Sequence, residues 1–229
     1  MIAFHDATLS YGGRPVLEGV SFEMPAGRAA ALLGRTGAGK TSLLAAAATA
    51  LTLDTGDITV HGQSVRRDAA AVRRLVGYVP ARPPAWPPCR VAEFVELAAS
   101  SAGLQGKPLR TAVTKALDLA GLAARAANPI DTLPDGSGRR LLLARALLHD
   151  PEVLILDDPF SALDPAEHAS VEALIGDAHL MGRAVLAAID NAVVPACFTD
   201  LVVLDAGRVA AAGPHTIETF ATGRSFTFR

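Results

Sequence analysis

Two stretches of this 229-residue chain carry residue types that do chemistry together. The first is GRTGAGKT, residues 34–41, which fits the spacing G-x-x-x-x-G-K-[ST] at Gly34, Gly39, Lys40 and Thr41. Glycines let a backbone curl until its N–H groups point inward, and a helix starting there adds partial positive charge, so such a loop cradles phosphate. Lys40 would reach the β- and γ-phosphates of a nucleotide, and Thr41 would hold Mg²⁺. The second is EVLILDDPFSALD, residues 152–164, in which an apolar run ends in two adjacent carboxylates, Asp157 and Asp158. Buried carboxylates need partners. A phosphate site needs an acid at the end of a neighbouring strand to hold Mg²⁺, directly or through water, and Asp157 fits that role.

These residues need elements to position them. IAFHDATLSY and PVLEGVSFEMPAG alternate in polarity, with turn signals at Gly12-Gly13 and Pro25-Ala26-Gly27, and predict antiparallel strands. RAAALLG predicts a short apolar strand leading into the loop, and SLLAAAATAL the helix after it. GDITVHG and RRLVGYVP predict further strands. At residue 81 the character changes, because ARPPAWPPCR is too rich in proline for regular helix. VAEFVELAASSAG, LRTAVTKALDLAGLAARA and GSGRRLLLARALLHD then predict three helices, the last running to Pro151. Strands return in VLILDD, RAVLAAID, DLVVLDAG and RVAAAG, with a helix across 165–180. The pattern predicts one domain: an α/β core with an antiparallel edge from residues 1–80 and 151–229, interrupted by a helical insertion over 81–150.

Composition narrows the classes. Half the residues are hydrophobic, much of that Ala and Leu, which predicts an ordered chain with a large core. A net charge of -2 gives no electrostatic reason to expect nucleic acid. Cys89 and Cys197 are far apart and lack metal-type spacing, which favours a reducing, cytosolic compartment. The start MIAFHDATLSYGGRP lacks the basic region and apolar core of a signal peptide. AVLAAIDNAVVPACFTDLVVL comes closest to a membrane span, but Asp190, Pro195 and Asp200 break it. VRRDAAAVRR reads as a solvated helix face, and Trp86 either docks a partner or packs within its loop.

Taken in order, these motifs resemble those of the ATP-binding subunits of ABC transporters over almost the whole chain. Gly34, Arg35, Thr36, Gly37, Ala38, Gly39, Lys40, Thr41 and Ser42 resemble the Walker A loop, and VLILDDP resembles Walker B. SALD, Ser161 to Asp164, resembles the D-loop, which crosses the dimer interface in this family. LPDGSGRRLLLARAL aligns without gaps with the signature stretch LSGGQRQRVALARAL, and Tyr11 resembles the aromatic that stacks on adenine. The resemblance implies a P-loop NTPase (RecA-like) core with an antiparallel β subdomain and an inserted α-helical subdomain. It implies ATP and Mg²⁺, a second ATP-binding subunit paired head to tail, and a transmembrane ABC subunit on another polypeptide. It also implies a cytoplasmic place, peripheral on the inner face of the cell membrane.

Several positions depart from the family. Asp158 stands where the family has the Glu that polarises the attacking water; it is shorter by one carbon–carbon bond, ~1.5 Å. A general base must lie within about 2.6–3.2 Å of its target, so that retreat matters. Asp190 stands where the family has the switch His that contacts the γ-phosphate. Two like unit charges 4 Å apart repel by about 4 kcal/mol at an effective dielectric near 20, so Asp190 is expected to point elsewhere or to bind a cation. Ala81 falls at the Q-loop Gln, and a methyl group can neither ligate Mg²⁺ nor orient water. In the signature, Pro134, Asp135 and Ser137 replace Ser, Gly and Gln, while Gly136 is kept.

The sum is an expectation of ATP binding with slow or absent hydrolysis, with Asp158 and Asp190 in the two catalytic positions. Two other readings stay open: a soluble ABC-type ATPase serving another machine, and a non-catalytic regulatory subunit whose ATP-bound dimer is itself the signal. A P-loop kinase or small GTPase gives SALD and the signature helix no place.

Overall fold

A computed structural model describes residues 1–82, 85–161, 163–190 and 194–214. Strands β1 (Ile2–Tyr11) and β2 (Arg14–Met24) form a hairpin turned at Gly12-Gly13, and β4 (Thr55–Val60) and β5 (Gln63–Ser64) complete an antiparallel sheet in the order β2-β1-β4-β5. The second sheet has the order β10-β9-β3-β8-β7-β6, built from β3 (Ala29–Leu33), β6 (Val76–Val79), β7 (Val153–Asp157), β8 (Ala184–Ala188), β9 (Asp200–Asp205) and β10 (Arg208–Pro214). Its strands are parallel except β10, which runs antiparallel to β9.

The unbroken apolar runs of β3, β7 and β8 follow from burial on both faces. Side chains alternate along a strand. Leu154 and Leu156 therefore enter a core shared with helices α3 (Val91–Ser101), α4 (Gly106–Leu119), α5 (Asp135–Ala146) and α6 (Pro165–Leu180). Val153 and Ile155 enter a second core, shared with α1 (Lys40–Ala47) and the antiparallel sheet through Phe4, Leu17 and Ile58. Each such Leu or Ile contributes on the order of 1.5–3 kcal/mol, so β7 is held from both sides and the carboxylates at its end are firmly placed. A bidentate pair, Arg28 to Asp200 at 2.7 and 2.9 Å, ties the starts of β3 and β9.

The fold is that of P-loop NTPases, mixed α/β with an antiparallel β subdomain, and α3, α4 and α5 lie between β6 and β7. Three helices are shorter than their sequences suggest: the one predicted to Leu51 stops at Ala47, with Thr49 left-handed, and two more follow. The stretch predicted as helix to Ala126 stops at Leu119. There Gly121 turns left-handed, Leu122 N–H bonds back to the Leu117 carbonyl at 2.8 Å, and Ala123–Arg125 form a separate turn. The helix predicted to reach Pro151 stops at Ala146, and Asp150, barred from helical backbone by the following proline, is left-handed. Helix α2 (Ala69–Leu75) buries only Val72, as a solvated helix face does. Cys89 and Cys197 are free thiols.

Candidate functional site

The phosphate loop joins β3 to α1, wedged between β2 and β9. Gly39 has φ 101°, and a Cβ there would sit 2.7 Å from the Val16 carbonyl. A Cβ on Gly34 would run into the Leu204 carbonyl. Both positions therefore demand glycine for close backbone approach. Helix α1 has no acidic residue in its first turn, so its positive end is not neutralised by its own side chains. Lys40 is 7 % exposed. Its ammonium donates to the Gly34 carbonyl at 2.6 Å and the Arg35 carbonyl at 3.3 Å, and pairs with Asp190 Oδ1 at 2.8 Å. Tyr11, half exposed at the end of β1, places its hydroxyl 3.4 Å from that of Ser42.

Asp157 ends β7 and is 2 % exposed. The Thr41 side chain and the Ala81 backbone lie close enough to its carboxyl to favour the charged form, yet its Oδ2 is buried with no partner among the described residues. A buried, unpaired carboxylate oxygen beside the Thr41 hydroxyl is the hard-oxygen donor set that suits Mg²⁺, which is usually held by one or two carboxylates together with substrate phosphates. Burial pushes the Asp157 carboxyl above the usual carboxylate range, and the charges of Asp158 and Asp190 add to this; Thr41 and Ala81 pull the other way.

Asp158 is half-buried in left-handed backbone, φ 49°. Its N–H donates to the Ala188 carbonyl at 3.1 Å and its carbonyl accepts from the Ser161 N–H at 3.3 Å. Aspartate tolerates that conformation better than most residues. Both backbone groups are engaged, so the side chain has little scope to recover its missing length.

At the Q-loop position the backbone of Ala81 contributes where its methyl cannot. Its backbone helps stabilise the charged form of Asp157, while its carbonyl accepts from Arg139 of α5 at 2.9 Å, and Arg139 also reaches the Pro80 carbonyl at 3.1 Å. Trp86 packs within the protein, edge-on to Phe94 with ring centres 5.5 Å apart and against Gly138, where a Cβ would lie 3.1 Å from the indole.

Pro134 caps α5 without a side-chain hydrogen bond, and Ser137 is buried, its hydroxyl accepting from Arg140 at 3.3 Å. Gly136 lies so close to Glu167 that a Cβ would collide with the carboxylate. Glu167 is held there by a capping box with Asp164: its N–H donates to Asp164 Oδ1 at 2.8 Å and its Oε2 accepts from the Asp164 N–H at 3.3 Å. The side chain of Asp135, Ala162 of SALD, and residues 215–229 of the last segment lie outside the described residues.

The fold thus gathers Lys40, Thr41, Asp157, Asp158 and Asp190 at one end of the parallel sheet. Sequence reasoning missed Arg139 and Glu167. Glu167 had a signal, since Asp164-x-x-Glu167 is a capping-box spacing; Arg139 had none beyond its place in the signature-like helix.

A family model for the ABC transporter domain matches residues 17–161. The hemin import ATP-binding protein HmuV of Streptomyces coelicolor is 35% identical over 218 residues, 93% of this chain and 77% of that protein. The Nod factor export ATP-binding protein I of Paraburkholderia xenovorans is 37% identical over 174 residues, 76% of this chain but only 57% of the relative's length. The structure of cbiO1 from Clostridium perfringens, part of the ABC transporter complex cbiONQ, is similar with a TM-score of 0.84, at 26% identity, over 96% of this chain and 90% of that one.

Proposed function

The chain belongs to the ABC transporter family as an ATP-binding domain, and from that premise we propose that it binds Mg-ATP at a dimer interface to drive or regulate a separate membrane subunit, with slow or absent hydrolysis. The observation that carries the nucleotide reading is the orphaned Oδ2 of Asp157 beside Thr41, at the mouth of a loop built around Lys40. Gly34 to Ser42 would wrap the phosphates, Tyr11 would stack on adenine, and Thr41 with Asp157 would hold Mg²⁺. Magnesium so held would neutralise charge on the β- and γ-phosphates.

The cleaving half is weaker. Asp158 is short and pinned by its backbone, Ala81 offers only its backbone, and Asp190 is engaged with Lys40. Crowding of Gly136 by the Glu167 carboxylate supports a poor cap for a partner's γ-phosphate. That favours pairing with a different ATP-binding subunit over self-pairing, and it lends weight to the regulatory reading. Among the described residues no helix is long and apolar enough to cross a membrane; a place on the inner face, docked on a transmembrane partner, is part of the same proposal. The two relatives are named for import of hemin and export of Nod factor, and neither cargo is carried over to this chain.

The test is steady-state ATP turnover of the purified chain with Mg²⁺, beside Lys40→Ala and Asp158→Glu. Wild type is expected near the Lys40→Ala background, and Asp158→Glu above it. ATP affinity should fall about 5- to 150-fold in Tyr11→Ala, the loss of one base–aromatic stack. Rapid wild-type turnover that disappears in Lys40→Ala would sink the slow-hydrolysis reading.

A further inference from the structure

We propose that Asp190 is an internal competitor for Lys40: its carboxylate takes the contact that a nucleotide phosphate would take, giving the empty chain a self-locked state that a triphosphate must open. The proposal rests on the nucleotide reading above and adds a specificity-determining residue to that site.

A lysine ammonium has three donors and no acceptor. Among the described residues the three acceptors around it are the Gly34 carbonyl, the Arg35 carbonyl and Asp190 Oδ1. A phosphate oxygen can engage Lys40 only by replacing one of them. The two carbonyls belong to the loop itself, and Gly34 is locked by its approach to Leu204. Asp190 is a side chain, 54 % exposed, just beyond the end of β8. The Arg35 carbonyl is held in the loop by the Ala38 N–H at 3.0 Å, so Asp190, free to rotate into water, is the ligand that leaves.

The locked state is also electrostatically sound. Lys40 is nearly buried, and a buried ammonium without a counter-ion is expensive. Asp190 supplies that counter-ion in the absence of nucleotide. Once phosphate arrives the same carboxylate becomes a liability, because it joins Asp157 and Asp158 in a site already rich in negative charge. Lys40 would reach the β- and γ-phosphates, so the γ-phosphate is the group that meets the displaced carboxylate. ATP therefore bears a larger penalty than ADP, and Asp190 tilts the site toward the diphosphate.

The experiment has one arm without nucleotide and one with it, both on the full chain. In the first, the acylation rate of Lys40 by acetic anhydride is read by mass spectrometry in wild type, Asp190→Asn and Asp190→Glu. Asp190→Asn should label about fivefold faster, the rate change expected when one ion-pair contact is released, and Asp190→Glu should stay near wild type. Equal rates in wild type and Asp190→Asn would overturn the lock. In the second, equilibrium binding of Mg-ATP and Mg-ADP is compared. Asp190→Asn should tighten ATP by about tenfold and ADP by no more than about threefold. Unchanged or weaker ATP binding by Asp190→Asn overturns the competitor role. If neither protein binds any nucleotide, the nucleotide reading itself fails, and the labelling arm still decides whether Asp190 holds Lys40.

Discussion

Arg139, one turn into α5, donates to the carbonyl of Ala81 at 2.9 Å, while the backbone of the same Ala81 lies close enough to Asp157 to favour its charged form. One residue thus joins the helix behind the signature-like turn to the carboxylate at the end of β7. The family places a glutamine side chain at this position; here the link runs through backbone. The second bond of the guanidinium, to Pro80 at 3.1 Å, makes it a fork. One hydrogen bond from a charged donor contributes about 1.5–3 kcal/mol, so Arg139→Ala, which removes two, should lower the unfolding free energy by at least that amount. Arg139→Lys should recover only part of it, since a single ammonium nitrogen lacks the planar fork with which two guanidinium nitrogens each meet one carbonyl. Urea unfolding measures both, and a wild-type midpoint in Arg139→Ala would show that the clamp bears no stability.

Asp157 predicts a pH dependence. Its carboxyl is held above the usual range by burial, with Asp158 and Asp190 adding to the effect. The folded chain therefore keeps that proton to a higher pH than the unfolded chain does. Between the two values the unfolded state binds fewer protons, and stability falls as pH rises. Above both, the penalty is constant. Asp157→Asn removes it, so the nucleotide-free variant should be more stable than wild type at pH 7, by about 1–3 kcal/mol for one unsatisfied buried group. That margin should shrink as the pH falls toward 4. Mg²⁺ should raise the melting temperature of wild type and leave the variant unmoved. Thermal melts across pH, with and without Mg²⁺, check all three, and a margin that ignores pH would contradict the assignment.

Local steric demands made the loop and the sheet legible in the sequence. Gly34 and Gly39 must be glycine because backbone passes within reach of their Cα atoms, and the β7 run is apolar throughout because both faces are covered. The helix ends were less legible. Ala- and Leu-rich propensity continues past Leu119, and the left-handed turn at Gly121 overrides it. Asp190 was half legible: charge alone argued that it points elsewhere or binds a cation, but finding Lys40 required the end of β8 beside β3, where Ile189 N–H meets the Leu32 carbonyl at 3.1 Å. The Gly136–Glu167 approach was not legible, because it depends on how α5 and α6 meet.

That approach gives the last prediction. Gly136 is helical, so its backbone alone accepts any residue, and the nearest obstacle to a side chain among the described residues is the Glu167 carboxylate. Glu167 yields only by giving up the contact of its Oε2 with the Asp164 N–H, 3.3 Å long, at the start of α6. Gly136→Ala must therefore push the carboxylate out of the box or shift α5, and because the struck atoms end a flexible side chain the cost should stay near that of a lost capping contact, about 1 kcal/mol or less. Losing the reciprocal half of the box in Glu167→Ala should cost no more, since the Asp164 side chain still accepts from the residue 167 N–H. Combining the two should be less damaging than the sum, because the second change removes the atoms the first one strikes. Unfolding of the two single variants and the double variant closes the cycle. Strict additivity would mean that Gly136 and Glu167 do not meet in solution, and the crowded signature-like turn would no longer support a poor cap for a partner's nucleotide.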